Sequence, residues 1–475
     1  MTLTSPTAIR VATTADDLTR TGLLVLLVAF LPVNFTFGSV NVLADAIGRD
    51  LQAGAAGQQL VLAVYTTAFA ASLVIAGRLG DRFGRRLVLV VGASGVAILS
   101  IATAFAPDLA TAIVLRVLLG VAAGLLTPQV LSTIQTTAVG ELRVRGLTLF
   151  AAMSGVSTVL GQIVGGGVAA LLPDHLGWRA VQILTGLLAA CALLGLRAIP
   201  ASRSSTPLAI DGTGAGLLAA GLLLVILPLA LGRTTGWPAW TIGALAAGAA
   251  ALAAFWIRQR RAEARGILPV VPPSVLRILV VRRGLIMTLL FFTTYGAFLY
   301  ELSALAQGRF GVGPFGAAML LLGFGLAFIV ASLLLPLIVQ ALGGRTMTVA
   351  GIAQAILMLG VTALELTGTA NALTLQSLLI PIGAAQAMMF GPVLQTVLSR
   401  APEWAAGIAS GLFSTAQQVG LSLGVALLGG MFWSVTGGTD PSGLDRGIGV
   451  AFVIHAGCAI AFAVLAASIT RRTDT

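Results

Sequence analysis

The sequence predicts an all-α integral membrane protein with 14 transmembrane helices, and three observations carry that expectation. Mean hydropathy is +1.02 and only 9% of the 475 residues are charged, whereas roughly a quarter are charged in a soluble domain. Apolar runs of about twenty residues, the length that crosses a bilayer as helix, recur along the chain. The 27 basic residues, all arginine, sit at the ends of those runs. With a cytoplasmic amino terminus, 21 of them fall in inner tails and loops and five on the outer side (Arg49, Arg179, Arg233, Arg309, Arg446), while Arg116 lies within a run. The positive-inside rule asks for that asymmetry, and an odd number of spans would put part of the charge on the wrong side. The formal charge of +11 therefore describes topology and not a nucleic-acid-binding face.

The runs cover about 21–44, 58–79, 87–106, 109–136, 146–172, 178–199, 213–231, 238–257, 284–306, 315–338, 345–367, 371–398, 406–434 and 447–470. The first follows a tail rich in Thr, Ala and Ser and is too long for the core of a signal peptide. It carries Asn34, Thr36, Ser39 and Asn41. Between the second and third, Gly77–Leu87 packs three glycines, Asp81 and four arginines into eleven residues. That composition makes a tight basic hairpin. Its glycines admit close backbone approach and positive φ, and Asp81 can cap a helix or pair with an arginine. The fourth run places Arg116 about seven residues, roughly 10 Å, into a helix. A permanent charge there needs a wet cavity, an acid or carbonyl oxygens. The fifth run is glycine-rich (Gly155, Gly161, Gly165, Gly166), as is the thirteenth (Gly411, Gly420, Gly424). Small residues four apart let helices close up in lipid.

The seventh and eighth runs fit neither of two six-run halves. After them, Pro269, Pro272 and Pro273 argue against one long helix through the arginine-rich segment 258–283, which reads as a topology anchor able to meet anionic lipid. Glu301 in the ninth run either exchanges protons or faces an outer vestibule, paired with an arginine such as Arg309. Glu365 and Asp45, near outer helix ends, read as solvated. His455, midway along the last run, is either a group that titrates near neutral pH or, as a terminal helix at the bundle periphery favours, a packed, hydrogen-bonded histidine. Met388, Met389 and Phe390 with Phe291, Phe292 and Tyr295 suit an adaptable apolar wall. The two histidines and two cysteines are widely separated, and no G-x-x-x-x-G-K-[ST] loop is present. This excludes a zinc site and an ATP motor, and no cofactor or enzymatic activity is expected.

The Gly77–Leu87 stretch resembles the loop between helices 2 and 3 of the major facilitator superfamily, G-x-L-x-D-R-x-G-R-R/K, matched by Gly77, Leu79, Asp81, Arg82, Gly84, Arg85 and Arg86. Arg116 and Gly120 resemble the family's R-x-x-x-G, associated with proton transfer in antiporters. Gly161, Gln162, Gly165 and Gly166 resemble G-P-x-x-G-G, with Gln162 where proline is usual. Trp178 and Arg179 match the start of helix 6, and Gln418 lies in a stretch like Q-V-G-x-x-L-G of fourteen-helix exporters. One departure stands in the first run. Ser39–Val42 resembles the end of D-x-T-I-V-N-V, but the acidic position falls on Thr36 or Asn34. Neither titrates, and Glu301 is the carboxylate that could substitute.

The resemblance implies the fourteen-helix drug:proton antiporter branch. The expected layout is a cytoplasmic tail (1–20), a six-helix bundle (21–200), two linker helices (201–258), a basic loop (259–283), a second six-helix bundle (284–470) and a cytoplasmic tail (471–475). The implied function is export of small hydrophobic or cationic compounds across a bacterial inner membrane by proton antiport with alternating access, as in multidrug efflux and antibiotic resistance. Implied roles are Arg116 and Glu301 in proton coupling and Gly77, Asp81, Arg82, Gly84, Arg85 and Arg86 in the inner gate loop. Asn34, Thr36, Asn41, Gln162 and Gln418 are the implied polar groups of the cavity. The partners are a small-molecule substrate, protons and the bilayer, the chain acting as a monomer. Alternatives are an exporter of one natural product or metabolite, a facilitator uncoupled from protons, and a non-transporting membrane sensor.

Overall fold

The structure, a computed structural model, describes residues 17–202, 211–232, 236–267, 269–402, 406–436 and 441–470. Most of the amino-terminal tail, Arg233 and the expected tail 471–475 lie outside them. The first half folds as α1 (Arg20–Asp50), α2 (Ala55–Phe83), α3 (Arg85–Ala104), α4 (Leu109–Thr137), α5 (Gly140–Leu171) and α6 (Asp174–Leu194). Next come α7 (Gly212–Leu231), α8 (Ala239–Ala264) and the short α9 (Pro273–Arg277). The second half comprises α10 (Leu279–Arg309), α11 (Pro314–Leu320), α12 (Leu322–Leu342), α13 (Thr346–Leu366), α14 (Ala372–Ser399), α15 (Ala406–Leu423), a π-helical segment (Gly424–Gly429), α16 (Gly430–Thr436) and α17 (Pro441–Thr470). Among the described residues, 12 helical segments are long and apolar enough to cross a membrane, or 13 if the bent pair Leu60–Leu73 and Ile75–Phe83 counts as one span. One of the twelve is the stretch Leu322–Leu366, which holds both α12 and α13.

Local chemistry sets the helix ends. Thr19 and Asp108 accept hydrogen bonds from the N–H groups of Gly22 and Thr111, and Asn371 forms a reciprocal cap with Thr374. Asp211 caps α7 through Gly214 and pairs with Arg258 and Gln259 of α8. Burial alone would raise that carboxyl, but these donors together hold it below its usual range. The basic hairpin is tighter than expected: Gly77 and Gly80 continue α2, and Gly84 alone, at φ 100°, turns the chain into α3. Gly343, at φ 56°, turns α12 into α13 in the same way. The segment 259–283 is also more helical than its prolines suggest. The first of them follows the end of α8, and Pro272 and Pro273 sit at the start of α9, where a missing N–H costs nothing.

The two halves repeat one packing scheme. α1 packs on α5 and α6, α2 on α4, and α3 on α4 and α6; correspondingly α10 packs on α15 and α17, α12 on α14, and α13 on α14 and α17. Two seams join the halves, α2 against α15 and α5 against α11 and α12. α7 lies along the first seam, where Leu218, Leu222 and Ile226 pack with Ala70 and the linker residues Val270 and Val271. α8 is held chiefly by α7 and α9.

Glycines set the closest approaches. A Cβ on Gly161 would stand 2.2 Å from the Phe35 carbonyl oxygen, and one on Gly38 would stand 2.0 Å from that of Thr158, so α1 and α5 touch backbone to backbone. Gly424 meets Thr293 of α10 in the same way, at 2.1 Å. Overpacking of this kind costs about 1–3 kcal/mol. Gly161→Ala should therefore lower the melting temperature of the detergent-purified protein. Gly243→Ala on α8, whose added methyl meets nothing within 4 Å, should leave it unchanged or raise it, since Ala is favoured over Gly in a helix by about 1 kcal/mol.

Candidate functional site

Where the halves meet, a narrow central cleft is lined by Asn34 and Phe37 of α1, Ser154, Gly155 and Thr158 of α5, Phe291, Phe292 and Tyr295 of α10, Phe328 of α12, Phe390 of α14, and Gln417 and Leu421 of α15. Its wall is aromatic. Phe291 stacks on Tyr295 and on Phe390 with ring centroids 5.9 and 5.8 Å apart, and Phe292 meets Phe390 edge-on at 5.3 Å. These rings present π-faces and C–H edges, while Asn34, Ser154, Thr158 and Gln417 supply neutral hydrogen-bonding groups. Among the described residues no charged side chain lines the space.

Of the five polar residues expected here, the structure brings only Asn34 to the cavity, with its Nδ2 buried and unpartnered. Thr36 points to Arg116. Asn41 donates to the Phe37 carbonyl one turn back at 2.9 Å. Gln162 is fully buried away from the cavity, with neither amide atom hydrogen-bonded. Gln418 is buried elsewhere, and its neighbour Gln417, about 100° around the helix, faces the space instead. Phe291, Phe292, Tyr295 and Phe390 do form one wall, whereas Met388 and Met389 pack into the core. Phe37, Ser154, Thr158, Phe328 and Leu421 carry no signal in sequence beyond lying in apolar runs, and only helix rotation selects them.

Arg116 is 1% exposed. Its Nε donates to the Val61 carbonyl of α2 at 3.2 Å and its Nη1 to the Thr36 hydroxyl of α1 at 3.2 Å. The guanidinium lies 4.8 Å from the Tyr65 ring centroid, and Nη2 has no partner. Tyr65 in turn donates to the Val33 carbonyl at 2.7 Å, so the arginine ties α4 to α2 and α1. Gly120 permits this, because a Cβ there would stand 2.4 Å from the Tyr65 carbonyl oxygen. Among the described residues no carboxylate pairs with Arg116. It is held by a carbonyl, a hydroxyl and a ring face.

Glu301 pairs with neither a vestibule nor an arginine. Its Oε2 lies 3.0 Å from Nε2 of His455, and both side chains are fully buried between α10 and α17. Glu365 corrects the expectation of a solvated acid. It is 4% exposed and, with Asp445, holds Arg309 at the ends of α13, α17 and α10 that lie opposite the arginine-rich loops. Asp45 is exposed and pairs with Arg49.

At the arginine-rich end, Asp81 bonds Arg85 at 3.0 Å, and Arg85 reaches Thr136 of α4 at 2.5 Å. Gly77, Arg78 and Asp81 face Ile408, Gly411 and Leu412 of α15 and the linker residues Val270 and Val271 across a narrow groove. Arg78 also donates to the Pro269 carbonyl. Arg82 stacks on Phe83, 5.4 Å from the ring centroid. At the opposite end, Trp178 and Arg179 both bond Asp50 at 2.9 Å.

A family model described as Major Facilitator Superfamily matches residues 25–425. The chain is 32% identical over 416 residues to the probable actinorhodin transporter of Streptomyces coelicolor, covering 86% of this chain and 71% of that protein. It is 30% identical over 407 residues to the tetracenomycin C resistance and export protein of Streptomyces glaucescens, covering 85% and 74%. Among solved structures, the crystal structure of peptide transporter POT in complex with sulfate shares the fold with TM-score 0.66 at 15% identity, covering 97% of both chains. By that family match and those relatives, the chain, with its two similarly packed helical halves around a central cavity, belongs to the major facilitator superfamily and is a multi-pass membrane transporter of small molecules, not an enzyme.

Proposed function

We propose that this protein exports small, aromatic, hydrophobic compounds from a bacterial cell across the inner membrane by proton antiport with alternating access. The observation that carries the reading is the central cavity, whose rings and neutral polar groups suit a planar apolar solute with a few hydrogen-bonding substituents. The relatives named for actinorhodin and tetracenomycin C support export of such compounds. The uncharged lining favours neutral solutes over strong cations.

The fourteen-span reading rests on Leu322–Leu366. Its 45 residues would make one helix of about 67 Å, more than twice the roughly 30 Å hydrocarbon core. On this reading the Gly343 turn divides it into two spans, and counting the bent α2 as one more would make fourteen. The arginine-rich loops and both termini then face the cytoplasm, the Asp81–Arg85 loop sits at the inner gate, and the packing scheme needs no second copy of the chain. Arg116 and Glu301 serve coupling. A second reading, a facilitator uncoupled from protons, is favoured by one contact: Arg116 faces the Thr36 hydroxyl and no titratable acid.

Efflux of a neutral anthraquinone dye from cells, with and without a protonophore, tests the proposal. Collapse of efflux on adding the protonophore is expected, and unchanged efflux would favour the facilitator. Phe390→Ala should raise the KM for the dye up to about tenfold, since an aromatic contact is worth about 0.5–1.5 kcal/mol. Arg116→Lys keeps the charge but loses the fork that reaches Val61 and Thr36. Hydrogen bonds to charged groups are worth about 1.5–3 kcal/mol each, so the initial efflux rate should fall at least about tenfold.

A further inference from the structure

Among the described residues of the second half, charge gathers toward the helix ends and is sparse at depth. α15, α14, α16, α11 and the π-helical segment, all packed on α10 or α17, contain no titratable residue. The remaining contacts of these two helices bring Arg277 from α9, Glu365 from α13, Arg345 from the α12–α13 turn, and Arg20, Asp45, Arg49 and Asp50 from α1. Apart from Glu301 and His455, α10 itself carries Arg282, Arg283, Tyr295, Tyr300 and Arg309, and α17 carries Asp445, Arg446 and Cys458. Cys458 lies one turn from His455, and Trp433 donates to the Tyr300 hydroxyl at 3.0 Å. The arginines lie toward the helix ends, so among the described residues of this half Glu301 and His455 are the only charge-bearing pair at mid-depth.

That pair is incompletely satisfied. One short contact joins Oε2 and Nε2, while Oε1 of Glu301 and Nδ1 of His455 have no hydrogen-bond partner. A purely structural buried pair is expected to have its remaining atoms bonded. On the same two helices, toward the face opposite the arginine-rich loops, Arg309 and Asp445 stand eight and ten residues further along, about 12 and 15 Å of helix. They meet Glu365 there, and Asp445 is 26% exposed at its side chain. Between the two groups, Thr362 sits one turn inward of Glu365 and donates to the Gly449 carbonyl of α17 at 3.2 Å. On the cavity side the pair is shielded by rings: Phe452 lies 5.4 Å from the His455 ring and 5.8 Å from Phe298. Phe298 contacts Phe324 at 5.2 Å, and Phe324 contacts the cavity residue Tyr295 at 6.4 Å.

We propose that Glu301 and His455 form a single proton-carrying site, filled from the outer face through the Arg309–Glu365–Asp445 cluster along the α10–α13–α17 interface and separate from the substrate cavity. The proposal rests on the antiport reading and names the groups that would perform it. In the empty state the carboxylate faces a neutral imidazole, with net charge −1. One proton, taken from outer water by way of the carboxylates of the cluster, makes the pair neutral and compatible with its apolar surroundings. The same proton leaves toward the cytoplasm when the halves rock. The ring series from His455 to Tyr295 connects the occupancy of this site to the wall of the cavity. His455, for which the sequence leaves packing and titration open, becomes half of the coupling machinery.

The test uses the full-length protein in proteoliposomes with a neutral anthraquinone dye, reading dye movement and internal pH together. Glu301→Gln and His455→Gln are each expected to abolish dye accumulation driven by a pH gradient while dye–dye counterflow persists. Counterflow requires alternation but no net proton movement. Glu301→Asp should restore part of the gradient-driven transport. In cells, Glu365→Gln and Asp445→Asn should each shift the external pH of half-maximal efflux by about one unit, roughly a tenfold change in proton concentration, and leave the dependence on internal pH unchanged. If the parent moves dye without protons, the antiport reading fails and this inference falls with it. If the parent couples dye to protons but His455→Gln couples equally well, only the inference is overturned. Loss of counterflow together with gradient-driven transport in both Glu301→Gln and Glu301→Asp would likewise overturn it, showing a structural pair.

Discussion

A hydrocarbon solvent makes an unpartnered polar group costly, and most of the interior of this protein is arranged around that constraint. Backbone groups are consumed by helices, and serine and threonine hydroxyls bond back into their own helices, as in Thr67, Thr127 and Thr288. The few charges left at depth face inward. Arg116 obtains a carbonyl, a hydroxyl and a ring face; Glu301 obtains an imidazole; Glu365 and Asp445 share one guanidinium. A lone arginine at the centre of a span costs about 2.5–3.5 kcal/mol on insertion scales, and each of these contacts offsets part of such a cost. Every deep charge therefore fixes a helix–helix relation, and the placement of the charges determines which helices can slide.

The halves share a packing scheme but not a chemistry. α1 and α10 occupy equivalent places, yet α1 contributes a hydroxyl to a buried cation while α10 contributes a carboxylate to a buried imidazole. Glycines make both arrangements possible by bringing α1 against α5 and α10 against the π-helical segment until carbonyls touch the facing glycines. At such contacts there is no side-chain layer to deform. Such contacts resist deformation, which suits the proposed rocking of two rigid halves around a central space.

Much of this was legible in the sequence, because it follows from local rules. Hydropathy located the helices, Gly84 and Gly343 stood where turns were needed, and Arg116 was conspicuous as a charge in an apolar run. Glu301 was conspicuous for the same reason. Its partner was not, since His455 lies 154 positions away and contact between α10 and α17 is decided by tertiary packing. The cavity lining was obscure for a different reason. The hydrophobic faces of membrane helices are nearly uniform, so nothing in the pattern distinguishes Gln417 from Gln418, although 100° of rotation sends one to the central cavity and the other away from it. Glu365 misled because proximity to a helix end says nothing about what covers it.

The position of α7 has a consequence for how the bilayer meets this molecule. By lying along α2 and α15, with α8 behind it, α7 shields one of the two seams from lipid, while the seam between α5 and α11 keeps an apolar flank of Val164, Val168, Leu171 and Phe315. A body that is nearly two-fold symmetric inside is thus lopsided to its surroundings. Acyl chains press directly on one hinge line and only through a helical cushion on the other, so changes in lateral pressure or bilayer thickness strain the two seams unequally.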